Sequence, residues 1–187
     1  NRVMGTLQGY ICNSRPRRFG KSITANMLTA YYSKGCDSEA MFSNLKIGQS
    51  LDFKKHLNQY DVIHFDVQWC MAPAGGADNV IAYMEKTTIE ELREYYPDVL
   101  PEGIRSLPEA LARINGRTGA KFVIIIDEWD YYSFKIKYQN TKIKVSVSKE
   151  KVEKLMRKLE VYYLANRSEN LYFALLGDCS ASTVKDE

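Results

Sequence analysis

The fold is decided by one apolar stretch that ends in two acids, KFVIIIDE at residues 121–128. It contains five consecutive large apolar residues, four of them β-branched, and such a run favours a β-strand. Because no polar residue alternates with them, both faces of the strand are expected to be buried, as in the centre of a parallel sheet. We therefore predict a central strand at Lys121–Ile126, followed by Asp127 and Glu128.

The segments on either side alternate between strand and helix patterns. Further strands are predicted at 7–12, 62–67 and 171–176, and helices from 22 to before Gly35, at 79–96, at 106–114 and at 152–162. The helix at 106 opens with a capping-box pattern, Ser106 and Glu109, and is expected to end at Asn115-Gly116. Residues 136–147 are typical of an exposed hairpin. This alternation predicts an α/β protein, a three-layer α/β/α sandwich with a mainly parallel sheet.

Length and composition are those of an ordinary globular domain. The chain has 187 residues, 45% hydrophobic and 26% charged, so we expect one folded domain rather than a disordered or fibrous chain. No apolar run approaches the roughly 20 residues that cross a bilayer, and no apolar leader opens the sequence. The four cysteines lie far apart without metal-ligand spacing, which argues against zinc or disulfides and predicts a cytoplasmic location.

A motif near the start of the chain indicates phosphate binding. It reads Arg15-Pro16-Arg17-Arg18-Phe19-Gly20-Lys21-Ser22 and lies between a predicted strand and a predicted helix. In this setting, backbone N–H groups and the helix N-terminus would hold the phosphates, while Lys21 would reach the β- and γ-phosphates and Ser22 would ligate Mg²⁺. A basic turn that binds no nucleotide is the alternative that these eight residues leave open.

The start of this motif departs from the usual glycine-rich loop. Arg15 stands where the pattern has its first glycine, and Pro16 has no N–H to offer a phosphate. We expect a differently shaped loop, in which the charges of Arg15, Arg17 and Arg18 offset the lost donors.

The two acids after the central strand complete the pattern. Asp127 is suited to hold the hydration shell of Mg²⁺, and Glu128 to orient and deprotonate an attacking water. The two motifs stand about 105 residues apart, which leaves space for one intervening strand, at 62–67. Together they predict a nucleoside triphosphatase that uses Mg²⁺ and ATP, since no guanine-recognition pattern is present.

These residues resemble a known family, the prokaryotic AAA-ATPase-like proteins, in which an Arg-Pro-Arg-Arg-Phe-Gly-Lys-Ser loop replaces the glycine-rich one. Residues 41–47 and 60–66 are similar to family segments, as is Ile126-Asp127-Glu128-Trp129-Asp130. The resemblance implies a P-loop NTPase core at 1–187 with a basic insertion at 131–150. It also implies further helices and often a nuclease-like domain, so we expect this chain to be the core of something longer. The family's next strand normally ends in Thr-Gly; here Leu176-Gly177 stands there, and Asp178 or Ser180 would have to sense the γ-phosphate.

Two other functions are consistent with the motifs. A nucleotide-gated switch or interaction module would bind ATP with little turnover, and a phosphotransferase would use an acceptor other than water. The second is disfavoured because no acceptor-site motif is recognisable.

Charge is concentrated in one segment. Lys135–Lys158 contains nine basic and two acidic residues, a local charge of +7 within a chain of net charge +3. Such a segment is either a solvated surface or a sequence-independent contact with the phosphates of nucleic acid.

A histidine, an aspartate and two tryptophans lie in or beside the predicted strands. We expect His64 to be a packed core residue and Trp69 and Trp129 to be buried, although either tryptophan could stack on a base. Asp66, at the end of its strand, would lie beside the nucleotide, where it would contact magnesium-bound water or cap the loop.

Overall fold

The computed structural model describes residues 1, 4, 10–15, 20–128 and 171–178 of the chain. Within this part the strands are β1 (Tyr10–Arg15), β2 (Asp61–Asp66), β3 (Phe122–Asp127) and β4 (Leu171–Asp178). The helices are α1 (Lys21–Tyr32), α2 (Glu39–Phe42), α3 (Phe53–His56), α4 (Val67–Met71), α5 (Val80–Tyr95) and α6 (Leu107–Thr118), with a 3-10 turn at Lys46–Gln49.

The described strands form one parallel sheet in the order β1-β4-β3-β2. The prediction of a central strand at 121–126 is confirmed, because β3 has a neighbour on each side and all six of its residues are buried. The intervening strand predicted at 62–67 also exists, but it lies on the far side of β3. The strand that separates β1 from β3 in space is β4, which comes last in the sequence.

Alternate residues of β3 pack against different sets of helices. Ile124 and Ile126 belong to an apolar cluster with buried residues of α5 and α6, such as Met84 and Leu111. Ile125, between them, packs in a second cluster with α1 and the segment that follows it. Helices therefore lie on both faces of this parallel α/β sheet, as the unbroken apolar run required.

Element boundaries differ from the predictions where backbone hydrogen bonding overrides the local pattern. β1 continues through Asn13 to Arg15, beyond the strand predicted at 7–12, because parallel pairing with β4 extends to Asp178. α6 runs past Asn115-Gly116 and ends at Thr118, followed by Gly119, whose φ of 70° is the left-handed conformation that glycine adopts easily. The Ser106 side chain makes no capping hydrogen bond, so the capping-box prediction is wrong, although the helix does start there.

Several predictions fall outside the described residues. They concern residues 16–19 of the loop, Trp129, the insertion at 131–150 with its hairpin, the helix at 152–162 and the whole basic segment Lys135–Lys158. In the part that is described, no helix combines the length and apolar character needed to cross a membrane.

Candidate functional site

The start of α1 has the backbone that the loop motif requires at its end. Gly20 precedes the helix with a φ of 74°, a conformation that residues with a side chain rarely adopt. Its carbonyl accepts hydrogen bonds from the backbone N–H and the hydroxyl of Thr24, both at 2.9 Å. A strand, β1, ends five residues earlier at Arg15, so the predicted strand–loop–helix setting is present.

The two polar residues that open α1 differ in exposure. Lys21 is only 5% exposed, although lysine is among the residues least often buried in proteins. Ser22, next to it, is exposed. The loop motif therefore ends in an ammonium group held within the fold and a hydroxyl that solvent reaches.

The acids after β3 also differ in their surroundings. Asp127 is 1% exposed, and its Oδ1 accepts a hydrogen bond from the Glu128 backbone N–H at 2.9 Å. Glu128 has a φ of 53° and is partly exposed. A non-glycine residue in this left-handed region carries strain of the kind found at functional sites. The chain thus turns sharply at the end of β3, with one acid buried and the next facing outward.

Strand register brings these groups to one edge of the sheet. Asp127 lies beside Leu176 of β4, and Leu176 lies beside Asn13 of β1. Because adjacent strands are about 4.8 Å apart, the β1 and β3 backbones are separated by about 10 Å at this level. Arg15 lies two residues further along β1, with Asp178 of β4 next to it.

Helix α1 runs back along the sheet from this carboxyl edge. The N–H of Lys34, just after α1, donates to the carbonyl of Tyr60, just before β2, at 2.9 Å. The end of α1 therefore lies at the amino edge of the sheet. Its twelve residues span about 18 Å, close to the length of a six-residue strand, so Lys21 lies near the carboxyl edge.

Asp66 and His64 extend the polar edge into β2. Asp66 is in register with Asp127, and its Oδ1 accepts the Trp69 N–H at 3.1 Å, so it caps the short helix α4. His64 Nδ1 lies 3.2 Å from the Thr29 hydroxyl of α1, and its Nε2 is buried with no hydrogen-bond partner among the described residues. Burial lowers the pKa of His64, although the charges of Asp127 and Asp66 oppose the shift. The imidazole is thus a neutral, half-buried group of β2 that contacts α1, and it is less enclosed than the packed core histidine predicted.

Trp69 is exposed, so the prediction that it is buried is wrong. Its side chain is 78% exposed on α4, because α4 is a short helix, bound to the end of β2 by the Asp66 cap, that turns only some residues inward. The sequence showed an aromatic residue among apolar neighbours and gave no signal that it faces solvent at this edge.

The donors at this edge suit a hard cation more than a transition metal. Within the described part of the chain, no three His, Cys, Asp or Glu side chains gather as a metal-binding group. Mg²⁺ needs no such cage, since it usually retains waters and binds one or two protein oxygens together with phosphates. The Asp127 carboxylate and the Ser22 hydroxyl are oxygen donors of this type.

Sequence reasoning missed two features of the edge. Thr29 contacts His64 because it lies two turns after Ser22 on α1, a spacing that helical periodicity could have revealed. The left-handed backbone of Glu128 has no counterpart in the sequence, because glutamate shows no preference for that conformation.

The parallel sheet and the polar groups at its carboxyl edge define the chain as an α/β protein of the class that binds ligands at the ends of its strands. A family model described as a predicted AAA-ATPase matches residues 4–181, and the chain therefore belongs to the AAA-ATPase-like family. Membership associates the chain with ATP and with nucleotide binding in general. No curated protein and no solved structure gives a significant match to the chain.

Proposed function

We propose that the chain is a P-loop ATPase core, a three-layer α/β/α sandwich that binds ATP with Mg²⁺ and hydrolyses it at the carboxyl edge of the sheet. One observation carries the proposal. The Gly20-Lys21-Ser22 turn at the start of α1 and the Asp127-Glu128 turn at the end of β3 belong to the same edge of one parallel sheet.

The loop from Arg15 to Ser22 binds the phosphates in this proposal. Backbone N–H groups of the loop, to which Pro16 contributes none, and the N-terminus of α1 attract the phosphate oxygens. Lys21 contacts the β- and γ-phosphates, and its burial keeps the ammonium in a fixed place with little competing water. Arg15, Arg17 and Arg18 supply positive charge, and Phe19 completes the loop.

Ser22 and Asp127 are the proposed residues for Mg²⁺, Ser22 by direct ligation and Asp127 through the ion's waters. When bound, the ion would neutralise charge on the β- and γ-phosphates. Asp127 is suited to this role because one oxygen is fixed by the Glu128 N–H, which orients the carboxylate before any ligand arrives.

Glu128 is the proposed general base. It orients a water for attack on the γ-phosphorus and accepts its proton. Glu128 is partly exposed whereas Asp127 is buried, which suits a base that solvent reaches beside a carboxylate kept for the cation.

The residue that senses the γ-phosphate is proposed on β4. The strand extends two residues beyond its predicted end, so Asp178 lies beside Arg15 at the start of the loop. Asp178 is therefore favoured over Ser180, which is outside the described residues.

Replacement of Lys21 tests ATP binding. We expect Lys21→Ala to weaken ATP binding and to lower turnover by about 100-fold or more, since a contact with the transferred phosphate is lost. Calorimetry and phosphate release measure the two effects, with circular dichroism to show that the fold is retained. The matched control is Lys34→Ala at the opposite end of α1, which should change ATP binding by less than about twofold. Equal ATP binding by Lys21→Ala and the unmodified chain contradicts the proposal.

A nucleotide-gated switch is the second candidate, favoured by apolar Leu176 at the strand position beside Asp127, where the family's polar residue would stand. Glu128→Gln separates the two functions. The ATPase loses turnover by about 100-fold while keeping ATP affinity, because only the base is removed. A switch shows no turnover to lose, yet ATP still raises the melting temperature of either protein.

Nucleic acid is proposed as a partner of the segment Lys135–Lys158, on the basis of its local charge of +7. The combined variant with Glu at Lys135, Lys137, Lys142 and Lys144 should then lose DNA affinity at low salt. Binding of the unmodified chain should weaken steeply as salt rises, because counterions are released on binding. Unchanged DNA affinity in the variant would show that the segment is solvated surface.

A further inference from the structure

A polar cavity opens at the amino edge of the sheet, opposite the edge described above. Its volume is about 730 Å³. Tyr60 and Lys121, which directly precede β2 and β3, line it, and so does Lys34 after the end of α1. A six-residue strand is about 20 Å long, so this cavity is about that far from Asp127 and cannot be part of the same site.

The charges around the cavity are predominantly positive. Its described lining includes Lys34, Lys55 and Lys121, and none of the described residues that line it is a carboxylate. Lys34 is paired with Asp61, its Nζ lying 2.8 Å from Oδ2. Lys55 and Lys121 make no ion pair with any residue in the described part of the chain. Two lysines without an ion pair in that part of the chain therefore line one concave space.

The wall behind these lysines is ordered by buried polar contacts. His56 is 5% exposed, stacks on the Tyr60 ring and shares a hydrogen bond with its hydroxyl. The Tyr96 hydroxyl donates to Asp61 at 2.8 Å and also accepts from Lys34 at 3.2 Å. The cavity thus combines hydrogen-bonded aromatic side chains with exposed cationic ones, a mixture that suits a ligand with both an organic part and an anionic part.

The protonation of His56 is consistent with a positive potential in this cavity. Burial lowers the pKa of His56, the positive charges of the N-terminus, Lys55 and Lys121 lower it further, and the charge of Asp52 opposes the shift. The imidazole is therefore neutral at pH 7 and acts as a hydrogen-bonding wall rather than as another cation.

We propose that this cavity is a second binding site, for a small organic phosphate held by Lys55 and Lys121 against the Tyr60 and Tyr96 side chains. Its volume falls in the range of about 300–1,000 Å³ that small-molecule sites occupy. Lysine ammonium groups are common phosphate ligands. The cations converge on one cavity and do not form an extended stripe, which favours a small molecule over a nucleic-acid backbone.

The test uses the full chain carrying Lys21→Ala, so that the proposed phosphate loop is weakened and a failure of the ATPase proposal leaves the outcome unaffected. Ribose 5-phosphate is the probe, followed through the backbone amide resonances of the protein. We expect saturable shifts at Gly119, Ala120, Lys121 and Lys34. Binding should weaken as KCl is raised, since the lysines are solvent-exposed and screened by salt.

Two double variants, made in the Lys21→Ala chain, distinguish binding in the cavity from non-specific attraction of the phosphate to positive charge. Lys55→Gln with Lys121→Gln should weaken ribose 5-phosphate binding about tenfold. Lys46→Gln with Lys54→Gln removes the same charge from exposed positions that do not line the cavity, and should change affinity by less than about twofold. Equal weakening by both pairs, or shifts confined to residues 20–22, overturns the proposal.

A comparison with inorganic phosphate tests whether the cavity recognises the organic part of the ligand as well as its phosphate. Ribose 5-phosphate should bind more tightly than inorganic phosphate, because only the sugar can also contact the tyrosines. Equal affinity for the two would overturn the assignment of an organic ligand.

Discussion

The two edges of the parallel sheet hold charged groups in opposite ways. At the carboxyl edge the charges are inside the fold, with Lys21 5% and Asp127 1% exposed, and the backbone at Gly20 and Glu128 is left-handed. At the amino edge the lysines are exposed, and the buried groups behind them are neutral. A substitution of a charged residue at the carboxyl edge should therefore change both the charge and the packing of the fold. A substitution of a lysine at the amino edge should change mainly the surface charge.

The largest expected effect comes from the strand that joins the two edges. Ile124, in the middle of β3, is fully buried, so Ile124→Ala should lower the free energy of unfolding by about 2–5 kcal/mol and weaken both edges. Urea denaturation measures the change. Ile23→Ala is the matched control, because Ile23 is 66% exposed on α1. This substitution should change the free energy of unfolding by no more than about 0.5 kcal/mol. Similar losses for the two variants would contradict this assignment of the core.

The next prediction concerns whether ATP turnover at the carboxyl edge and phosphate binding at the amino edge are independent. Lys55→Gln with Lys121→Gln should leave ATP turnover within about twofold of the unmodified chain, since sites this far apart without shared partners usually behave additively. Lys21→Ala should in turn leave ribose 5-phosphate affinity within about twofold. Phosphate release and amide shifts provide the two measurements. A large loss of turnover in the lysine pair would mean that the edges are coupled through α1 or β3.

A smaller effect is expected at the wall of the amino-edge cavity. Asp61→Asn removes the carboxylate that accepts hydrogen bonds from Lys34 and Tyr96. It should lower the free energy of unfolding by only about 1 kcal/mol, because the Lys34–Asp61 ion pair is partly exposed. Glu39→Gln, which breaks the more exposed pair with Lys54, should have almost no effect in the same thermal-unfolding experiment. An equal loss in both variants would show that the Lys34–Asp61–Tyr96 contacts do not stabilise the wall.

The smallest effect is a pH dependence. The pKa of His56 is lowered in the folded chain, chiefly by burial, from an ordinary value of 6.5. The unfolded chain therefore binds more protons, and the stability that His56 contributes is lost as pH falls from about 6.5 toward its folded pKa. His56→Gln should flatten the decline of melting temperature between pH 7 and pH 5. Lys54→Gln, a nearby control, should retain the full slope; an unchanged slope in His56→Gln would mean that another group titrates.

Much of the fold was predictable because its signals are local. The β3 run, the helical pattern at 79–96 and the strand at 62–67 all appear within a residue or two of their predicted places. At the candidate site, Gly20 lies where the motif predicts a turn into a helix, and Asp127 lies at the end of a buried strand. These outcomes need only hydrophobic pattern and the special backbone of glycine.

The predictions were wrong where a strand boundary or the exposure of a side chain depends on contacts between residues far apart in the sequence. The extension of β1 to Arg15 depends on pairing with β4, more than 150 residues later in the sequence. Trp69 was expected to be buried and is exposed, since the choice depends on how α4 packs after β2. His56 gave no signal in the sequence, yet it is buried against Tyr60 on the wall of a cavity.

By itself, the sequence determined a parallel α/β protein of the AAA-ATPase-like family, with a phosphate-loop motif before α1 and two acids after β3. Hydrophobic runs and glycine positions act over a few residues, so they can be recognised one segment at a time. Only the tertiary structure decided that β4 lies between the two motif-bearing strands, that Glu128 turns left-handed beside Asp127, and that lysines from three separate segments face one cavity. Those features depend on strand order and helix packing, which arise from contacts between residues far apart in the chain.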